Sequence, residues 1–156
     1  MGVLFLWNKE YSIGNAEIDN QHRRIFTLAN LVSANLDTRG INAAIMTLFR
    51  YVREHFTAEE SMMQEIGFPE TASHRELHEA LITRLSEVAT LSFQNEETVT
   101  EFKQFVYTWV IDHILNRDMK YFRFAQANLP GTTLPMPALC LDADAVPDTE
   151  TVSTIR

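Results

Sequence analysis

Between residues 15 and 128 the apolar side chains recur in steps of three and four, and Gly and Pro are nearly absent. That period matches the α-helix, so the stretch reads as helices joined by short turns. The spacing predicts a first helix from an N-cap at Asp19 to about Asp37, with His22, Ile25, Phe26, Ala29, Val32 and Leu36 inward. Thr38-Arg39-Gly40 reads as the turn that ends it. A second helix is expected from about Asn42 to Ile66, with Ile45, Leu48, Phe49, Val52, Phe56, Met62 and Ile66 on one side. Gly67 is a natural stop, and Pro69 fits the first turn of the next helix. That third helix, from about Glu70 to Leu91, turns Leu77, Leu81, Leu85 and Val88 inward. Asn95 caps a fourth, where Glu96 and Glu97 meet the positive end of the helix dipole. Its inner face is Phe102, Phe105, Val106, Trp109 and His113. Four helices with short loops predict an all-α, up-down-up-down antiparallel four-helix bundle.

The pattern slips in the fourth helix. Continuing the phase of Phe102 to His113 would bury Arg117, yet Asp118, Phe122 and Ala125 take the inward role, one residue later. A π-bulge produces such a slip and is common at functional sites. The alternative is a regular helix facing a broad cluster. Two segments fall outside the periodicity. Residues 1–17 carry Trp7, Tyr11 and Gly14 and read as an extended arm against the bundle. Residues 129–156 hold four of the five prolines with Asp142, Asp144, Asp148 and Glu150. They read as a tail, mobile or held by its Leu and Met residues, and the bundle domain is taken as 1–128.

Thirteen basic against twenty-one acidic residues leave a net charge of -8, which argues against nucleic acid or an anionic membrane as partner. The lone Cys140 forms no internal disulfide, the opening Met1 to Trp7 lacks the basic start of a signal peptide, and no apolar run is long enough to span a membrane. A cytoplasmic protein is the expectation.

The five histidines, His22, His55, His74, His78 and His113, all fall on predicted inward stripes. Residues four apart share a helix face, so His55 points inward with Glu59, and His74 with His78. Asp118 follows His113 by five. A single inward histidine usually belongs to a hydrogen-bonded core. Five of them with two carboxylates, converging from four helices, point to metal, because an unpaired buried carboxylate costs several kcal/mol. Imidazole and carboxylate without thiolate suit iron, manganese or zinc. Seven side chains exceed the needs of one ion. If two ions share both carboxylates and a solvent oxygen, five imidazoles divide unequally. One ion is then closed at six ligands, and the other keeps a vacant position.

The series His22, His55-x-x-x-Glu59, His74-x-x-x-His78 and His113-x-x-x-x-Asp118 resembles the hemerythrin signature. Trp7-Asn8, Ser12-Ile13-Gly14, Ile18-Asp19-Asn20-Gln21-His22, Trp109 to Ile114 and Asp118-Met119-Lys120-Tyr121 resemble bacterial single-domain members of that family. The likeness covers about residues 5 to 125. It implies two iron ions per chain, joined by an oxo or hydroxo bridge. His74, His78 and His113 would bind one iron, His22 and His55 the other, and Glu59 and Asp118 would bridge them. It implies reversible O₂ binding at the open iron, and places Phe56, Trp109, Val110 and Ile114 where the family's O₂ pocket lies. Each of those four also reads as plain core. Tyr121 is either a donor to a ligand carboxylate or a packed ring satisfied elsewhere.

The favoured reading is therefore an O₂ carrier, store or delivery protein that is not an enzyme. The alternatives are sensing of O₂, redox state or nitric oxide, and a di-iron oxidase. Ferritin-like oxidases use more carboxylates and Glu-x-x-His pairs, and the ligand series here contains no such pair.

Overall fold

The computed structural model describes residues 5–33, 35–90, 95–132, 134, 136 and 139. Its helices are α1 (Ala16–Asn30), α2 (Thr38–Glu65), α3 (Thr71–Ala89), α4 (Glu96–His113) and α5 (Met119–Asn128). A π-helical turn, Ile114–Asp118, joins α4 to α5, so these three pieces form one continuous fourth helix. No described residue is in a strand. The architecture is the expected antiparallel four-helix bundle. α2 packs against α1 and α3, and α4 closes the bundle by packing against both of them as well. No described helix is long and apolar enough to cross a membrane.

Apolar periodicity located the helices well but not their ends. The N-cap of α1 is Asn15, not Asp19: the Asn15 side chain accepts the Ile18 N–H at 3.0 Å. Asp19 lies within the first turn, buried, where it accepts Ser12 Oγ at 2.5 Å and the Ile13 N–H at 3.0 Å. The arm therefore stops at residue 15, pinned to α1 by a side chain that looked like a cap. α1 also ends at Asn30 rather than Asp37. The Asn30 amide takes both backbone groups of Phe5, receiving its N–H at 2.7 Å and donating to its carbonyl at 2.9 Å. Leu36, expected inward, is consequently exposed. Thr38-Arg39-Gly40 is not a turn but the start of α2, because Asp37 caps it by accepting the Gly40 N–H at 2.8 Å. Pro69 lies in the turn ahead of α3 rather than in its first turn. Asn95 caps α4 as expected, accepting the Thr98 N–H at 2.9 Å.

The arm closes the open side between α1 and α4. Phe5 is buried against Phe26 and Tyr107, and Trp7 packs on Phe26 and Tyr11. The Tyr11 and Tyr107 hydroxyls share a hydrogen bond of 3.1 Å. Of the tail, Leu134 and Met136 are buried and Leu139 packs against the core; Cys140 and the acidic residues after it lie outside the described residues.

Gly14 lets the arm turn just ahead of α1. Its φ is +92°, and a Cβ there would lie 2.7 Å from Phe122 Cζ. Gly14→Ala is expected to destabilise the fold by more than ~1 kcal/mol, since backbone strain and a ring clash add. Thermal unfolding checks this; an unchanged Tm would show that the arm's bend carries no stability.

Candidate metal centre

The π turn decides the geometry of the site. The Met119 N–H bonds the Ile114 carbonyl, five residues back, in place of the regular spacing of four. On an ideal helix Asp118 would sit about 140° round from His113. The widened turn brings Asp118 Oδ1 to 3.0 Å from His113 Nε2. The same slip sinks Tyr121 into the core, leaving Phe122 half-buried over Gly14.

Every histidine and both carboxylates of the expected set converge in the bundle interior, none more than 5% exposed. α1 contributes His22, α2 contributes His55 and Glu59, α3 contributes His74 and His78, and the fourth helix contributes His113 and Asp118. On one side His78 Nε2 lies 3.1 Å from His74 Nε2 and 3.0 Å from His113 Nε2. Asp118 Oδ1 is 3.3 Å from His74 Nε2, and Glu59 Oε2 is 3.3 Å from His78 Nε2. On the other side His22 Nε2 is 3.2 Å from Asp118 Oδ2, and His55 Nε2 is 3.6 Å from Glu59 Oε2. The donor atoms thus form two groups. One is Glu59, His74, His78, His113 and Asp118; the other is His22, His55, Glu59 and Asp118, and the carboxylates belong to both.

These groups fit metal ions better than they fit each other. His78 Nδ1 faces Glu60 Oε1 at 2.9 Å, and His55 Nδ1 faces Gln21 Oε1 at 2.8 Å. With the proton on that outer nitrogen, the inner Nε2 of each ring is a bare lone pair. Lone pairs meeting at 3 Å repel unless a cation or a proton lies between them. Glu59 Oε2, both oxygens of Asp118 and both nitrogens of His22 are buried without a hydrogen-bond partner. Buried polar atoms left in this state are rare and costly, and coordination to metal would satisfy the inward ones.

Electrostatics keep both carboxylates and His55 deprotonated, while Asp118 and Glu59 outweigh burial and raise the pKa of His113, so a metal ion there would displace a proton. Burial works to raise the Asp118 pKa, but the charge of His113 and the imidazoles of His22 and His74 hold it well below the usual carboxylate range. Burial and the Asp118 charge likewise work to raise Glu59, and His55 and His78 outweigh them, leaving it at about 2. Burial pushes His55 down to about 4, so its ring is neutral at physiological pH, the form that binds metal.

The chain matches the family model described as the hemerythrin HHE cation binding domain over residues 14–125. It belongs to the hemerythrin family. Among its relatives, bacteriohemerythrin of Stenotrophomonas maltophilia (strain R551-3) is 32% identical over 131 residues, covering 81% of this chain and 85% of the relative. The hemerythrin-like protein of Naegleria gruberi is 31% identical over 117 residues, covering 75% and 90%. The crystal structure of wild-type hemerythrin superposes with a TM-score of 0.68 at 26% identity, covering 78% of this chain and 97% of that one.

Phe56, Trp109, Val110 and Ile114, which the resemblance placed in a pocket, are all buried. Phe56 stacks flat on the His78 ring, 3.7 Å between centroids and 4° between planes. Trp109 lies 6.0 Å from Phe56, and its indole Nε1 is buried without a partner. Val110 is on α4, and Ile114 opens the π turn. Tyr121 is a donor, its hydroxyl reaching Glu59 Oε1 at 2.5 Å. Sequence reasoning missed Gln21 and Glu60. Each adjoins a ligand in the chain, and adjacent helical residues point about 100° apart. Spacing alone therefore places them off the site, and the contact arises only because each serves a histidine on another helix.

Proposed function

We propose that this chain binds O₂ reversibly at a non-haem di-iron centre and serves in oxygen carriage, storage or delivery, a binding function rather than catalysis. The observation that supports it most is the division of donors into three imidazoles and two imidazoles with two carboxylates shared. In this reading His74, His78 and His113 hold one iron, His22 and His55 the other, and Glu59 and Asp118 belong to both. The side with His22 and His55 would then offer its ion one protein ligand fewer, which would leave room for a small ligand. When bound, the iron pair supplies the electrons that make O₂ binding a reversible redox event.

The chain's own residues set the conditions. Glu59 is held by the Tyr121 hydroxyl, and His55 and His78 are oriented through their outer nitrogens. Outer partners of this kind fix ring orientation and raise ligand basicity. Phe56, Trp109, Val110 and Ile114 would form an apolar wall that keeps water and protons away from the site. The overall charge of -8 argues against nucleic acid as a partner.

The test is metal analysis with the visible spectrum. Protein reconstituted with ferrous iron should hold two irons per chain and develop, in air, a charge-transfer band that disappears when O₂ is removed and returns on readmission. One ion per chain, a zinc-only protein, or a spectrum indifferent to O₂ would overturn the reading.

A further inference from the structure

The outer nitrogens of two site histidines are held by chemically different partners. His78 Nδ1 donates to a carboxylate, Glu60 Oε1, at 2.9 Å, while His55 Nδ1 donates to a neutral amide, Gln21 Oε1, at 2.8 Å. Both clamps are braced. Glu60 Oε2 receives Arg75 Nε at 3.2 Å, and the Gln21 amide nitrogen donates to Glu17 Oε1 at 3.1 Å. Glu60 comes from α2 and serves α3; Gln21 comes from α1 and serves α2. His78 has no freedom left to turn, because the Phe56 ring covers its face at 3.7 Å. Its Nε2 stays within 3.1 Å of both His74 and His113, in the donor group with three imidazoles.

A carboxylate acceptor pulls on the Nδ1 proton more strongly than an amide does, and charge-assisted hydrogen bonds are about twice as strong as neutral ones. The imidazole it holds becomes the more basic ligand at its far nitrogen. The asymmetry therefore runs in the same direction as the ligand count: the group with more imidazoles also has the anionic clamp.

We propose that Glu60 is a positioning residue that makes the three-histidine position the tighter iron site, and that Gln21, by being neutral, leaves the two-histidine position the more exchangeable. This rests on the di-iron reading of the site. It assigns a tuning role to two residues that touch ligands only through their outer nitrogens. One consequence is ordered metal uptake, the His74, His78 and His113 side filling first.

Chelator competition on ferrous-loaded protein under anaerobic conditions tests it. Wild-type protein should release its irons in two phases, one iron per chain in each. Glu60→Gln keeps the size and an acceptor oxygen but removes the charge; it should accelerate the slow phase about tenfold or more, the scale on which outer partners act, and leave the fast phase unchanged. Gln21→Glu, the reciprocal change, should slow the fast phase. Both variants should keep the wild-type helical circular dichroism and, when metal-free, its Tm within a few degrees, which separates tuning from folding. Unaltered slow-phase release in Glu60→Gln, or equal acceleration of both phases, overturns the proposal. A wild-type protein that never takes up two irons fails the di-iron reading itself, before either variant is compared.

Discussion

Replacing Glu59 by alanine is expected to empty both metal positions. Glu59 is fully buried and its Oε2 faces both donor groups, 3.3 Å from His78 Nε2 and 3.6 Å from His55 Nε2. In the proposed di-iron reading its removal would take one ligand from each iron at once. It also leaves the two cations facing each other with less negative charge between them. Loss of an outer partner alone costs a metal site about 10–100-fold in affinity, and loss of a shared ligand should exceed that. Iron content should therefore fall from two per chain to near zero. His22→Ala is the contrast: it touches only the two-histidine side, so a single-iron or labile form should survive. Glu59→Gln separates chemistry from packing, because the amide oxygen still accepts from Tyr121 but carries no charge to bridge two ions. It should fold and still lose both. Inductively coupled plasma analysis of the three purified variants decides the matter. Two irons retained with normal O₂ binding in Glu59→Ala would end the bridging assignment.

Trp109→Ala should keep the metal and lose its protection. Trp109 packs 6.0 Å from Phe56, whose ring covers His78. Truncating so large a buried ring typically costs about 3–5 kcal/mol, and at this chain length each kcal/mol lowers Tm by about 2–4 °C. The cavity that opens adjoins Phe56, whose ring contacts His55, His78 and His113, so unlike a purely apolar void it has polar groups within reach to hold water. Water there would give protons a path to the proposed O₂ site, and autoxidation should accelerate severalfold while the iron content stays at two. Trp109→Phe, which refills most of the space without the indole N–H, should restore the rate to near wild type. A well-folded Trp109→Ala with full iron content and an unchanged autoxidation rate would mean that the indole is only core.

The chain alone settled the class of fold and where its chemistry gathers. Apolar side chains in steps of three and four mark helices whatever they pack against. His55 with Glu59, and His74 with His78, share a face by helical geometry before any tertiary contact exists. Even the break was legible: five residues between His113 and Asp118, with the apolar phase slipping at the same point, foretold the π turn at Ile114–Asp118. Helix ends were less legible. Asn15 and Asp19 are both good caps within about one turn of each other, as are Asp37 and Thr38. Which one caps depends on what holds the other, and Asp19 is taken by Ser12 and Ile13. Of the outer partners, Gln21 and Glu60 were not legible, and Tyr121 was legible only as one of two alternatives. Gln21 reaches His55 across 34 positions of chain, Glu60 reaches His78 across 18, and Tyr121 reaches Glu59 across 62. Periodicity says which face of a helix turns inward. It does not contain the relative height and rotation of two neighbouring helices, and a hydrogen bond, good only within a few tenths of an ångström, depends on both.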